Sequence, residues 1–277
     1  MSVMSGSARA SSPVEPDVTS PRRRLGPGTL PKVLRWVLLA ALIGLWQLAG
    51  ERQQTETQIS RPSLVVKRLW TMLKNGQLWH NLWPTLQETL GGLAIGLVVG
   101  ILLGFVMARV KSVGTLLDPY IVGINGLPRV ALGPFFVVWF GIGIMSKVLL
   151  AASIVFVVVL FNAREGTASI DTDLLDALHS MRAGRMTMLR HLIFPSLMPW
   201  LLASLKIGIG LALTGAVVGE LVGASTGLGW YITNSLNQVD ITGAVTALLV
   251  MAVVAMGMYY IVLAFEKWAL RWRSAPS

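Results

Sequence analysis

No cysteine occurs among the 277 residues, which excludes disulfides, thiolate metal sites and cysteine nucleophiles. Histidine is nearly as scarce: His80, His179 and His191 stand far apart without ligand spacing, so neither a metal nor another cofactor is expected. Charge is the third scarcity. Only 13% of residues are charged, against about 25% in an ordinary soluble domain. Acids are fewer than bases, 13 against 23, leaving a net charge of +10. A nucleic-acid partner would need those bases gathered on one face, whereas here they are scattered beside apolar runs, as membrane topology requires. A Gly-x-x-x-x-Gly-Lys-Ser/Thr phosphate loop is also missing, so the chain cannot hydrolyse ATP by that route.

What is plentiful is apolar sequence, 54% of the chain, in runs that approach the roughly 20 residues a helix needs to cross a bilayer. Six spans are predicted, at about Val33–Gly50, Leu86–Val110, Leu117–Phe140, Ser146–Phe161, Pro199–Val222 and Ala244–Trp268. The fold class is therefore all-α membrane protein. Pro128 and Pro134 interrupt the third span and the fourth is short. Interrupted backbone is tolerated at membrane depth only beside protein or a cavity, so this pair is expected in the bundle interior. Residues 1–31, rich in Ser, Pro and Arg, read as a disordered cytoplasmic tail, and 32–273 as the membrane domain. The first span is expected to be retained, being long for a signal core and ending in Glu51-Arg52-Gln53-Gln54 with no small-residue cleavage site.

With the N-terminus inside, cytoplasmic segments carry 15 of the 23 Lys and Arg residues, and external segments six, counting Lys147. Both termini and the 162–198 loop are thus expected in the cytoplasm. The 223–243 loop, which lacks Lys and Arg, is expected outside, and 62–80 reads as an amphipathic helix on the outer surface. Gly92, Gly96, Gly100 and Gly104 recur every fourth residue in the second span, and Gly215, Gly219 and Gly223 do so in the fifth. Such ridges let another helix approach closely, either within one subunit or at a symmetric contact or gate. Glu88, Arg129, Lys206 and Glu220 are ionisable residues within spans, each a candidate for a pathway or a pair. Arg129 is expected either to line an anion route or to be neutralised by Glu88 or by carbonyls near its prolines. Glu220 is expected to gate or to hold the loop that follows it.

In the 162–198 loop, Thr172 or Asp173 is expected to cap a helix whose Leu174, Leu175, Leu178 and Met181 share one face. Gly184 is expected to end it in a left-handed conformation. A second short helix through Met186, Leu189 and Leu192 is expected to stop at Pro195.

Two motifs in this region resemble the permease subunits of bacterial ABC importers, in particular the nitrate, sulfonate and taurine group. The first reads Asp176-Ala177-Leu178, Arg182-Ala183-Gly184 and Leu192-Ile193-Phe194-Pro195; the second is Gly219-Glu220-Leu221-Val222-Gly223-Ala224-Ser225-Thr226-Gly227-Leu228-Gly229. Leu127–Pro134 and Trp139–Gly143 resemble the same group, and the likeness runs from about Pro62 to Trp272. Arg182 departs from it, standing where the family motif has glycine. The resemblance implies a type I importer fold and no enzymatic activity of the chain's own. It implies a homodimeric permease in the bacterial inner membrane, importing a small anionic solute such as a sulfonate, taurine or nitrate, although small heterocyclic vitamin precursors also fit. Separate ABC ATPase subunits, two copies, would dock on the loop as a coupling helix, at Leu174, Asp176, Ala177, Leu178, Met181, Arg182, Ala183, Gly184 and Pro195. An external binding protein, periplasmic or lipid-anchored, would deliver the solute. The alternative is a secondary transporter driven by an ion gradient, which would want paired acids within spans; Glu88 and Glu220 look poorly placed for that. An intramembrane enzyme would need a nucleophile–base pair or metal cluster, and none is visible.

Overall fold

The computed structural model describes residues 29–52 and 60–271, so most of the expected tail lies outside the described residues. Thr29–Arg52 forms α1, which takes in the last three residues assigned to that tail. Its stretch up to Leu45 belongs to a unit of its own, and the packing below concerns the unit from Trp46 onward.

All regular structure among that unit's described residues is helical. Pro62–Lys74 is α2, Gln77–Arg109 α3 and Lys111–Gly126 α4. A 3-10 turn over Arg129–Leu132 leads into α5, Gly133–Phe140, followed by α6, Ile144–Ala168. Thr172–Ser180 is α7 and Arg185–Met188 α8, with α9 over Phe194–Val222. Leu228–Asn237 is α10 and Ile241–Ala269 α11. All six predicted spans are present, the third as α4 and α5 bent by 85°. Leu127 is extended, with φ −75° and ψ 135°, as the ring of the following proline demands. Pro128 thus makes the break, whereas Pro134 sits in the first turn of α5, where a missing N–H costs nothing.

The bundle is built around α6. A β-carbon at Gly92 would sit 2.4 Å from that of Ala151, and one at Gly104 2.5 Å from the Leu160 carbonyl oxygen. One at Gly215 would lie 2.5 Å from the Ala151 Cα, and one at Gly219 2.7 Å from Cγ of Lys147. Both ridges therefore press on α6 within one chain, and Ala151 is pinched between them. Gly223 instead meets Val137 and Ile142. Val155, Val159, Leu93, Ile209 and Ala212 fill the layer between α3, α6 and α9.

Only half of the expected interior pair is interior. Of the pair, α6 is buried, but α4 buries only Gly114 and Ile121, and Leu127, Val130, Phe135 and Val138 are exposed. Among the described residues of this unit, none covers that side of the bend. The amphipathic segment forms α2 over a shorter range than 62–80, packing Val65 and Met72 inward, because Gly76 turns the chain into α3.

Candidate functional site

The loop between the fourth and fifth spans is shorter than 162–198. Asn162–Ala168 continues α6, and α8 runs through a π turn, Leu189–Ile193, straight into α9. Pro195 does not stop this helix. In the widened turn, Phe194 donates its N–H to Leu189, and Pro195 follows in the first turn of α9. At the other end the cap is Asp171, whose Oδ1 accepts from the Asp173 N–H at 2.8 Å, in place of Thr172 or Asp173.

Gly184 is not the left-handed residue either. Arg182 is, with φ 54°. The Ala183 N–H reaches back to the Leu178 carbonyl at 3.0 Å, the six-to-one bond of a Schellman end. The turn has stayed where the family motif puts its glycine, with arginine accepting the backbone strain.

The apolar face of α7 is divided. Leu175 and Leu178 pack against Ile170, Leu192, Ile193 and Leu197 of their own chain. Leu174 is exposed and Met181 is 78% exposed, as are Met186 and Leu189 across the turn. Asp176, Ala177 and Arg182 are exposed, while Ala183 is half-buried. A compact helical hairpin therefore keeps one apolar layer for itself and presents another.

Arg129 stands at the bend of the third span. Its Nη2 donates to Asn125 Oδ1 at 2.6 Å and its Nη1 to the Ile154 carbonyl at 3.0 Å. No carboxylate pairs with it among the described residues. The carbonyl is on α6, not at the proline breaks, and Glu88 is engaged elsewhere. A guanidinium has five N–H donors, so Arg129 keeps capacity beyond these two bonds. Lys206 is paired: its Nζ meets both oxygens of Glu266 on α11, at 2.8 and 2.9 Å.

The structure corrects the placement of the acids. Glu88 of α3 and Glu220 of α9 lie within hydrogen-bonding reach of one another, because the two helices pack on each other as well as on α6. Both are buried, at 3% and 1% exposure, with Lys147 at 3%. Glu220 Oε1 accepts from the Thr85 hydroxyl at 2.6 Å, and Oε2 from the Gly229 N–H at 2.5 Å. The Thr85 oxygen in turn accepts from the Leu228 N–H at 2.9 Å, and Asn81 Oδ1 from the Gly227 N–H at 3.2 Å. Gly227, with φ 119°, enters α10 in a conformation an L side chain rarely adopts. That helix has no side-chain cap of its own. Three successive amides at its start are instead capped from α3 and α9. The only signal of this in the sequence was the Gly219–Gly229 motif, which does not show that Asn81 and Thr85 complete it.

Helices of membrane length, one pair of them sharply bent, mark a multi-pass membrane protein. Residues 96–271 match the model of the binding-protein-dependent transport system inner membrane component, and the chain belongs to that family. It is 35% identical over 214 residues to the riboflavin transport system permease protein RibX of Chloroflexus aurantiacus, covering 77% of this chain and 80% of that relative. It is 28% identical over 223 residues to the taurine transport system permease protein TauC of Escherichia coli, covering 78% and 81%. A solved structure of the MetNI methionine ABC transporter in an inward-facing conformation shares the fold, with TM-score 0.57 and 20% identity over 73% of this chain and 98% of that one. The chain is thus a multi-pass permease subunit of an ATP-driven importer, and ATP hydrolysis belongs to separate subunits. The family works with an ATPase and a substrate-binding protein, which sets the ion-gradient alternative aside.

Proposed function

We propose that the bend of the third span lines the solute pathway, and that a second copy of the chain covers its open side. The observation that carries this reading is the exposure of the break itself. Irregular backbone facing lipid leaves polar groups unsatisfied and is tolerated only against protein or a water-filled cavity. The exposed residues Leu127, Val130 and Phe135 flank the bend. A homodimer with two ATPase copies meets that requirement. The α7–α8 hairpin is the coupling element in this reading, facing the cytoplasm of a bacterial inner membrane.

The cargo we propose is a small anionic solute, such as a sulfonate, taurine or nitrate, handed over by the external binding protein. Its support is Arg129, a cation at the break with no carboxylate partner among the described residues. A second reading, a planar heterocycle, is supported by the 35% identity to a permease named for riboflavin; a guanidinium also stacks on aromatic faces. The test is uptake by the complete importer in proteoliposomes, with Arg129→Lys and Arg129→Gln. Lys keeps the charge and loses the planar fork. An anion route predicts at least about tenfold more uptake of an anionic cargo by the Lys variant than by the Gln variant, roughly the 1.4 kcal/mol of one charge-assisted contact. Losing uptake equally in both variants, with normal assembly, indicates that the planar fork carries recognition. Normal assembly and normal uptake for Arg129→Gln would remove Arg129 from the pathway.

A further inference from the structure

We infer that Glu88 and Glu220 share a single proton, carried by Glu88, and that the charged Glu220 fastens the start of α10 to the bundle. The reasoning begins with hydrogen-bond directions. Both oxygens of Glu220 already accept: Oε1 from the Thr85 hydroxyl and Oε2 from the Gly229 amide. The Thr85 oxygen is itself occupied by the Leu228 N–H, and its one hydrogen has two acceptors in reach, the Asn81 carbonyl at 3.1 Å and Glu220 Oε1 at 2.6 Å, of which the shorter contact is to Glu220. A carboxyl receiving two donors, one of them an amide at a helix N-terminus, sits where negative charge is favoured.

Glu88 is in the opposite position. Its Oε2 is buried and faces no donor among the described residues, while its carboxyl lies against that of Glu220. Two carboxylates in contact cannot both keep their charge, so such pairs hold one proton. A proton on Glu88, donated to Glu220, supplies the one missing donor. A proton on Glu220 Oε1 would instead turn the Thr85 hydroxyl from its 2.6 Å contact to the longer one with the Asn81 carbonyl, at 3.1 Å.

The charges then balance. Lys147 of α6 is the cation that acts on both acids, and its stem crosses Gly219 beside Glu220. Its Nζ donates to the carbonyls of Ile142 and Gly143 at 2.5 and 3.1 Å. One ammonium, one carboxylate and one neutral acid leave the buried cluster without net charge. Asn81, Thr85 and Thr89 contribute only neutral groups around it. The mechanical consequence is that α10 moves with α3 and α9 as one body, so opening at that end of the bundle proceeds elsewhere. Glu220 is in these terms a positioning residue.

The test uses the full chain in nanodiscs. Infrared difference spectra of wild type against Glu88→Gln should show a lost carboxylic-acid C=O band, a signature that packing alone does not produce. Hydrogen exchange should be followed in a peptide spanning 224–237. Glu88→Gln, which mimics the neutral acid, should leave exchange within about twofold of wild type. Glu220→Gln should raise it about tenfold or more, as expected when a hydrogen bond to a charged acceptor is lost. If Glu220→Gln does not insert, the infrared band and Glu88→Gln decide alone. No acid band lost on Glu88→Gln, or exchange raised by Glu88→Gln and spared by Glu220→Gln, overturns the inference.

Discussion

Arg182 shows how one residue can depart from a family pattern without moving the structure. Its φ of 54° places a β-carbon close to the next carbonyl, at a cost of about 1–2 kcal/mol. The six-to-one bond from Ala183 to Leu178 holds the turn in spite of that cost. Replacing Arg182 by glycine should therefore stabilise the hairpin, by about 1 kcal/mol after glycine's greater loss of chain entropy is set against the relief. Thermal unfolding of the purified permease, together with hydrogen exchange over 172–188, checks the sign. A lower melting temperature or faster exchange in Arg182→Gly would mean that the guanidinium makes a compensating contact. The position of this turn was legible in the sequence, since the motif spacing marked residue 182. What was not legible is that a non-glycine would accept the conformation there. Gly184 looked the better candidate because propensity weighs each residue alone, whereas the hairpin's packing fixes which residue must turn. Glu88 and Glu220 teach the same lesson: they are 132 positions apart in the chain, and only the packing of α3 and α9 on α6 brings them together.

Among elements, the π turn is what joins the hairpin to a membrane span. Because α8, the widened turn and α9 form one helical path, no loop intervenes between the hairpin and that span, as the proposed coupling role requires. Apolar spacing marked α7 as amphipathic and could not divide its face. Leu175 and Leu178 stabilise the chain's own cluster, while Leu174 and Met181 remain outside it and exposed. Substitutions at the two groups should accordingly behave differently. Met181→Asp and Leu174→Asp should leave insertion and melting unchanged while abolishing transport-coupled ATP hydrolysis, since a charge buried unpaired at the docking surface costs several kcal/mol, roughly 2–7. Leu178→Asp should lower the melting temperature as well. Measuring ATPase activity and melting on the same assembled complexes separates the two effects. Full substrate-stimulated hydrolysis with Met181→Asp would exclude this face from coupling.

For the whole molecule, the six spans were legible because bilayer thickness is written into sequence as run length. The bend in the third was marked by Pro128. Exposure of α4 was not legible: a span that meets a partner reads like one that meets its own bundle. The structure also sharpens the charge argument for orientation. Lys147 was counted with the external bases, yet it is buried on carbonyls and no longer speaks for either side. That leaves 15 basic residues flanking the proposed cytoplasmic ends against five on the other side, a stronger bias of the kind that sets orientation. The absence of cysteine gives a clean background for a direct measurement. Ser180 and Ser225 are both exposed, one at the end of α7 and the other in the loop before α10. They are separated along the chain by α9, about 44 Å long at 1.5 Å per residue. With the termini inside, a membrane-impermeant maleimide should label Ser225→Cys in intact cells and should reach Ser180→Cys only after the membrane is opened. Labelling of Ser180→Cys from outside would reverse the orientation. The α7–α8 hairpin could then not meet a cytoplasmic ATPase at all.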